Sequence, residues 1–167
     1  MKTYSKEAVE YIAKLCDGGL RDGITLLDKC LAYSNELTLQ NVVSALGVVD
    51  YDCMIELTDI ITDKNTQAMI VSVENIYNSG KDIKQFVKQY VQFLLDVNKY
   101  FVGCSWEYIG IPKLEKYEAW LKDNCTEYYV NKIRDLLSTM VDLDGRIKYS
   151  SSPKYDIEAT LLLEITK

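Results

Sequence analysis

The stretch Ile83-Lys84-Gln85-Phe86-Val87-Lys88-Gln89-Tyr90-Val91-Gln92-Phe93-Leu94-Leu95-Asp96-Val97-Asn98-Lys99-Tyr100-Phe101 decides how the chain is read. Ile83, Phe86, Val87, Tyr90, Leu94, Val97 and Phe101 recur every three or four residues. That period lines them along one face of an α-helix of about five turns. Asp82 stands just before it, where a carboxylate caps the first N–H groups. Upstream, Met69, Val73, Ile76 and Tyr77 repeat the period in a helix that begins after Thr66 and ends at Gly80. Cys53, Met54, Leu57, Ile60 and Ile61 do so after Asp50 as a cap.

Downstream, the period breaks from Gly103 to Pro112, and Gly103, Gly110 and Pro112 punctuate a loop. A short helix is expected over Lys113 to Lys122, with Leu114, Tyr117 and Leu121 aligned. Thr126 then caps a long helix through Ile133, Leu136, Leu137, Met140, Leu143 and Ile147, interrupted only by Gly145. Ser150-Ser151-Ser152-Pro153 is a turn, with Ser152 as cap and Pro153 in the first helical position of a last helix ending in Leu161, Leu162, Leu163 and Ile165. Toward the N-terminus, Val9, Ile12, Ala13 and Cys16 form a stripe that Ser5 opens and Gly18-Gly19 close in left-handed backbone. Leu20, Ile24, Leu27 and Leu31 mark a second helix. Leu39, Val42, Val43 and Leu46 mark a third, begun by Thr38 and stopped by Gly47. The expected fold is therefore all-α, with a boundary near Asp50 that divides residues 1–49 from 50–167.

Composition agrees. The 167 residues are 48% hydrophobic and 26% charged, with Pro 2 and Gly 8, which suits helices rather than a turn-rich β fold. A net charge of −6 argues against broad contact with nucleic acid through a basic face. With His 0, the usual neutral-pH base, every His-containing triad and all His-ligated metal sites are excluded. Cys16, Cys30, Cys53, Cys104 and Cys125 contain no C-x-x-C pair, so zinc is not expected, and reduced thiols in the cytoplasm are. No apolar run is long enough to span a membrane, and Met1 to Glu7 lack the apolar core of a signal peptide. The chain enters a helical pattern at once, which suggests a piece of a longer protein.

Few residues carry chemistry. Gly18-Gly19-Leu20-Arg21-Asp22-Gly23-Ile24-Thr25 has the glycine spacing of a phosphate loop, but Ile24 stands where its lysine is required. The same residues place Arg21 in the first turn of a helix behind a glycine joint, where a guanidinium is well aimed at a phosphate. Asp22 beside it suits the positive end of the helix dipole. The plainer alternative is a solvated Arg-Asp pair. The D-x-D pairs Asp50/Asp52 and Asp142/Asp144 read as caps and surface, not as metal ligands. Among the 13 tyrosines, Tyr90, Tyr100, Tyr108, Tyr117, Tyr128 and Tyr129 could stack on bases, but packing and a subunit interface fit better without a clear basic stripe.

The run from Gly18 to Lys29 resembles G-S-x-R-D-A-x-x-L-L-D-Q of bacterial DNA polymerase III gamma/tau subunits, with Gly19, Gly23 and Lys29 in place of Ser, Ala and Gln. Leu37-Thr38-Leu39, Val42, Val43 and Leu46-Gly47-Val48-Val49-Asp50 resemble the family's V-T-x-x-x-V-x-x-x-L-G-x-V-D. Arg146 to Pro153 and Glu158-Ala159-Thr160-Leu161-Leu162 resemble its last two helices. The resemblance implies a clamp-loader subunit of the AAA-plus ATPases whose nucleotide loop, four-Cys zinc module and arginine finger lie outside this chain. Residues 1–49 would be the helical lid and residues 50–167 the collar that joins subunits into a ring. Arg21, flanked by Gly18, Gly19 and Asp22, would be the sensor-two arginine reaching the phosphates of ATP and its magnesium in the full-length protein. Partners would be other clamp-loader subunits through the collar and, indirectly, the sliding clamp and primed DNA, with no membrane. The rival readings are a stand-alone helical adaptor and a delta-prime-like subunit. The purified chain should show no ATP hydrolysis above blank in a phosphate-release assay, because the phosphate loop and metal ligands are missing; turnover that survives repurification would overturn the assignment.

Overall fold

The computed structural model describes residues 3–16, 19–46 and 51–167. Among them nine α-helices account for nearly all regular structure, as the periodicity led us to expect. The chain divides into two compact units, Met1–Val48 with Pro112–Leu114, and Val49–Ile111 with Glu115–Lys167. The expected helix stop at Gly47, the cap at Asp50 and the site glycine Gly18 lie outside the described residues.

The N-terminal unit holds α1 (Lys6–Leu15), α2 (Leu20–Tyr33) and α3 (Leu39–Leu46). Ser5 caps α1 by accepting from Ala8 N at 3.2 Å, and Thr38 accepts from Asn41 N at 3.2 Å at the start of α3. Its core is Ala8, Tyr11, Ile12, Cys30, Leu37, Val42 and Val43. Two short strands that the helical reading did not anticipate, β1 (Thr3–Tyr4) and β2 (Glu36–Leu37), pair in parallel. At two residues each they are too short to show alternation, and only the folded chain brings them together.

The C-terminal unit holds α4 (Tyr51–Thr62), α5 (Thr66–Asn78), α6 (Ile83–Phe101), α7 (Glu115–Asp123), α8 (Glu127–Ile147) and α9 (Pro153–Ile165). Here α6 lies along α8 and also meets α4 and α9. Phe86, Val87, Tyr90, Phe93, Leu94 and Val97 of α6 and Ile133, Leu136, Met140 and Leu143 of α8 are all buried. Each such side chain contributes about 1.5–3 kcal/mol. Asp82 caps α6, accepting from Lys84 N at 2.8 Å and Gln85 N at 3.4 Å, and Thr126 caps α8 by accepting from Tyr129 N at 3.3 Å. Helix α5 takes in Thr66 as its first residue and is capped by Asn65, and Gly80 beyond it takes a φ of 75°, which favours glycine. Helix α7 begins at Glu115, so Lys113 and Leu114 precede it. Tyr77, expected inward, is exposed at the end of α5.

Most tyrosines expected to pack do so. Phe86, Tyr90 and Phe93 stack in sequence along α6, at centroid distances of 5.6 and 6.2 Å. Trp120 meets Phe93 at 5.9 Å and Tyr129 at 6.0 Å. The hydroxyls are satisfied: Tyr90 shares a 2.9 Å hydrogen bond with Thr58, and Tyr129 donates to Asp59 Oδ1 at 2.7 Å. Trp120 Nε1 donates to the same carboxylate at 3.2 Å, so Asp59 ties α4 to α7 and α8. Tyr128 and Tyr108 instead face solvent.

The expected loop over 103–112 is anchored by a residue that no motif flagged. Asp96 of α6 is 1% exposed, pairs with Lys99 at 2.8 Å, and Lys99 also donates to the carbonyl of Tyr108 at 3.0 Å. A Cβ on Gly110 would lie 2.4 Å from Asp96 Oδ2, so the backbone can approach the buried carboxylate only as glycine.

Burial and the Asp59 carboxylate push the Tyr129 hydroxyl well above the usual phenol range, and burial raises Tyr90 in the same direction. A phenol held protonated in the fold stabilises fully below its unfolded value near 10 and less above it. Stability measured by urea unfolding should therefore fall as pH rises beyond about 10. Tyr129→Phe should cost about 1–3 kcal/mol at neutral pH and make that alkaline decline shallower.

Candidate functional site

The site expected around Arg21 is built where α1 gives way to α2. Helix α1 ends at Leu15 with Cys16 as its C-cap. Gly19, expected to close α1 in left-handed backbone, has φ −81° and is instead the N-cap of α2. Its N–H donates to Cys16 O at 2.8 Å, and its carbonyl accepts from Gly23 N at 2.9 Å, the first bond of α2. Gly19 offers no side-chain cap, so the first turn of α2 leaves donors open toward solvent. The Asp22 carboxylate folds back over this end: a Cβ on Gly19 would lie 3.0 Å from its Oδ2.

Arg21 is exposed in that first turn, and among the described residues its guanidinium makes no hydrogen bond or ion pair. Its carbonyl accepts from Thr25 Oγ1 at 2.9 Å, which fixes the backbone beneath it. Arg21 and Asp22 are thus neighbours on an exposed helix start, as the spacing predicts, with Gly19 behind them.

Beside Arg21 lies a feature that the periodicity did not show. Val9, Ile12, Ala13 and Cys16 of the first apolar stripe and Leu20, Ile24 and Leu27 of the second lie there, and of these only Ile12 is buried. They line an open apolar groove of about 400 Å³. Leu20 is 80%, Ile24 52% and Val9 46% exposed. The reason is size: three short helices enclose one small core, which takes Ala8, Tyr11 and Ile12 of α1 and leaves Val9 outside. Gly23 forms the floor, where a Cβ would come 3.1 Å from Cys16 Sγ. The Cys16 thiol itself donates to Ile12 O at 3.0 Å.

The remaining candidates stay structural. Asp52 pairs with Lys116 at 2.6 Å, and Asp50 lies outside the described residues. Among the described residues no three His, Cys, Asp or Glu side chains gather as metal ligands. No helix among them is long and apolar enough to cross a membrane. Burial pushes the Cys30 thiol up, away from a reactive thiolate.

Residues 37–107 match the family described as DNA polymerase III subunits gamma and tau domain III. The DNA polymerase III subunit tau of Bacillus subtilis is 19% identical over 93% of this chain and 27% of its own length. The DNA polymerase III subunit gamma of Buchnera aphidicola subsp. Schizaphis graminum is 24% identical over 98% of the chain and 45% of its length. The plant protein STICHEL-like 2 of Arabidopsis thaliana is 23% identical over 95% of the chain and 18% of its length. The chain thus spans less than half the length of each of these relatives. Residues 37–107 are thus similar to domain III of DNA polymerase III gamma and tau subunits, and the chain as a whole is similar to the gamma and tau relatives.

Gly23→Ala should gain up to about 1 kcal/mol of helix propensity, reduced by the contact with Cys16. In a Cys16→Ala background the full gain should return, so urea unfolding of the two single variants and the double variant should show coupling; strictly additive changes would mean that the sulfur gives way freely.

Proposed function

On the premise of a gamma/tau-type chain, we propose that the N-terminal unit is a nucleotide-reporting lid and the C-terminal unit an assembly collar. The observation that carries this reading is the Arg21 guanidinium, uncommitted among the described residues at the open end of α2. The residues present fit one part of ATP: Arg21 can hold phosphate oxygens through several donors. Asp22 is a single carboxylate and falls short of a magnesium site, so magnesium and the rest of the nucleotide belong to polypeptide outside this chain. ATP supplies a concentrated negative charge. Arg21 answers it, and because α2 packs on α3 and β2, a pull on its first turn moves the unit as a piece.

Assembly is supported by apolar side chains that the C-terminal unit leaves outside. Leu162 and Leu163 of α9 and Val141 of α8 are exposed, although Ile157, Leu161 and Ile165 of α9 are buried. A helix apolar on both sides suits burial from both sides. Through this collar the chain would join other clamp-loader subunits in the cytoplasm and so act on a sliding clamp and primed DNA. The rival reading, an adaptor without a nucleotide link, is favoured by the plant relatives, whose names carry no polymerase.

The reading frame encoding this chain should place a G-x-x-x-x-G-K-[ST] loop and four zinc-binding cysteines before it. In that longer protein Arg21→Ala should weaken ATP-dependent clamp binding by roughly ten- to hundredfold, the worth of a charge-assisted bond, and leave subunit assembly intact. An unchanged ATP response would remove Arg21 from the mechanism.

A further inference from the structure

We propose that one end of the C-terminal unit, where α5 leads into α6 and α8 leads into α9, is a binding surface for single-stranded nucleic acid. The inference goes beyond the nucleotide-reporting role and does not involve Arg21. Four segments meet there. Lys84 Nζ donates to the carbonyl of Lys148 at 3.0 Å, joining the start of α6 to the end of α8. Lys154 pairs with Glu74 and sits 4.9 Å above the Tyr77 ring, joining the start of α9 to the last turns of α5. Between these two joints opens a hollow of about 540 Å³, lined by Tyr77, Lys81, Ser151, Ser152 and Tyr155 among others.

Charge and aromatic surface coincide there. The run Arg146-Ile147-Lys148-Tyr149-Ser150-Ser151-Ser152-Pro153-Lys154 carries three cations and no carboxylate in a chain of net charge −6. Lys81, Lys84 and Lys88 add to it from the approach to α6 and its first turns. The carboxylates at this end are Glu74, Asp82, Asp144, Asp156 and Glu158. Glu74 is held by Lys154, and Asp82 accepts from two amides of α6, so both are engaged within the fold. Lys154 and Lys84 are engaged in the two joints, and Lys81, Lys88 and Lys148, which make no ion pair among the described residues, are left to face the phosphates of a strand. Tyr149 is 91% and Tyr155 68% exposed, which no packing need explains. Exposed aromatic faces beside cations stack unpaired bases and hold the strand with little regard to sequence. A duplex offers no free base faces, and an acidic peptide would use the lysines but leave the tyrosines idle. The sequence alone hid this surface because its cations come from separate segments that only the bundle brings together.

The test is fluorescence anisotropy of the whole chain with a labelled oligothymidylate of about twenty nucleotides at about 50 mM salt. Binding is expected, and it should weaken as salt rises. Tyr149→Ala with Tyr155→Ala should weaken it by about tenfold or more. Lys88→Glu with Lys148→Glu should weaken it and flatten the logarithmic salt dependence by at least about 1.4, the share of two phosphates. All four positions are exposed, and unchanged circular dichroism will certify the fold of each variant. Tyr128→Ala, an exposed tyrosine at the opposite end of α8, should bind like the parent. Four outcomes would each overturn the proposal: no binding at roughly 100 μM protein, equal binding by the tyrosine variant, equally tight binding of the corresponding duplex, or competition by polyglutamate with the tyrosine variant unaffected.

Discussion

Helix α6 has more to hide than an ordinary amphipathic helix. Ile83, Phe86, Val87, Tyr90, Phe93, Leu94, Asp96 and Val97 are all buried. Their directions cover roughly half the circumference of the helix, against the narrower stripe that one neighbour would satisfy. One partner cannot cover that arc, so α8, α9 and α4 all pack against it. The same breadth brings a carboxylate inside, and the unit has to meet its cost. Lys99 neutralises Asp96, and the 103–112 segment closes over it with Ile109 and Ile111 buried beside glycine backbone. Lys99 thereby ties a segment without helical period to α6.

The long helices were legible because their period runs for three turns or more and their caps are polar residues next to apolar runs. Ser5, Asp82 and Thr126 perform as their positions predict. The misreadings share a cause. Period gives a face but not what lies opposite it. Val9 and Ile24 lie on regular stripes, and the N-terminal unit has too little mass to cover them. Buried Asp96 and half-buried Asp59 are partners of Lys99, Trp120 and Tyr129, pairings made between residues from three to 70 positions apart. Nothing in a carboxylate's own sequence neighbourhood marks it as buried.

The candidate site divides along the same line. Arg21, Gly19 and Asp22 are adjacent in sequence, so their grouping was visible before any fold was known. The groove next to them was not, because it is made by the failure of two stripes to find cover. Gly23 links the two features: its N–H makes the first hydrogen bond of α2 to the Gly19 carbonyl, and its missing Cβ admits Cys16 to the floor of the groove.

The pairing of β1 with β2 bears on mechanics. Thr3 and Tyr4 are bonded in parallel register to Glu36 and Leu37, and Ser5 N donates to Leu37 O at 3.0 Å. Tension arriving at Thr3 is therefore shared at once between α1 and the connection from α2 to α3, loading several hydrogen bonds in shear. Without this clip, the same force would peel α1 away from its first turn. With it, a pull on Thr3 loads the hydrogen bonds between β1 and β2 before it reaches the first turn of α1.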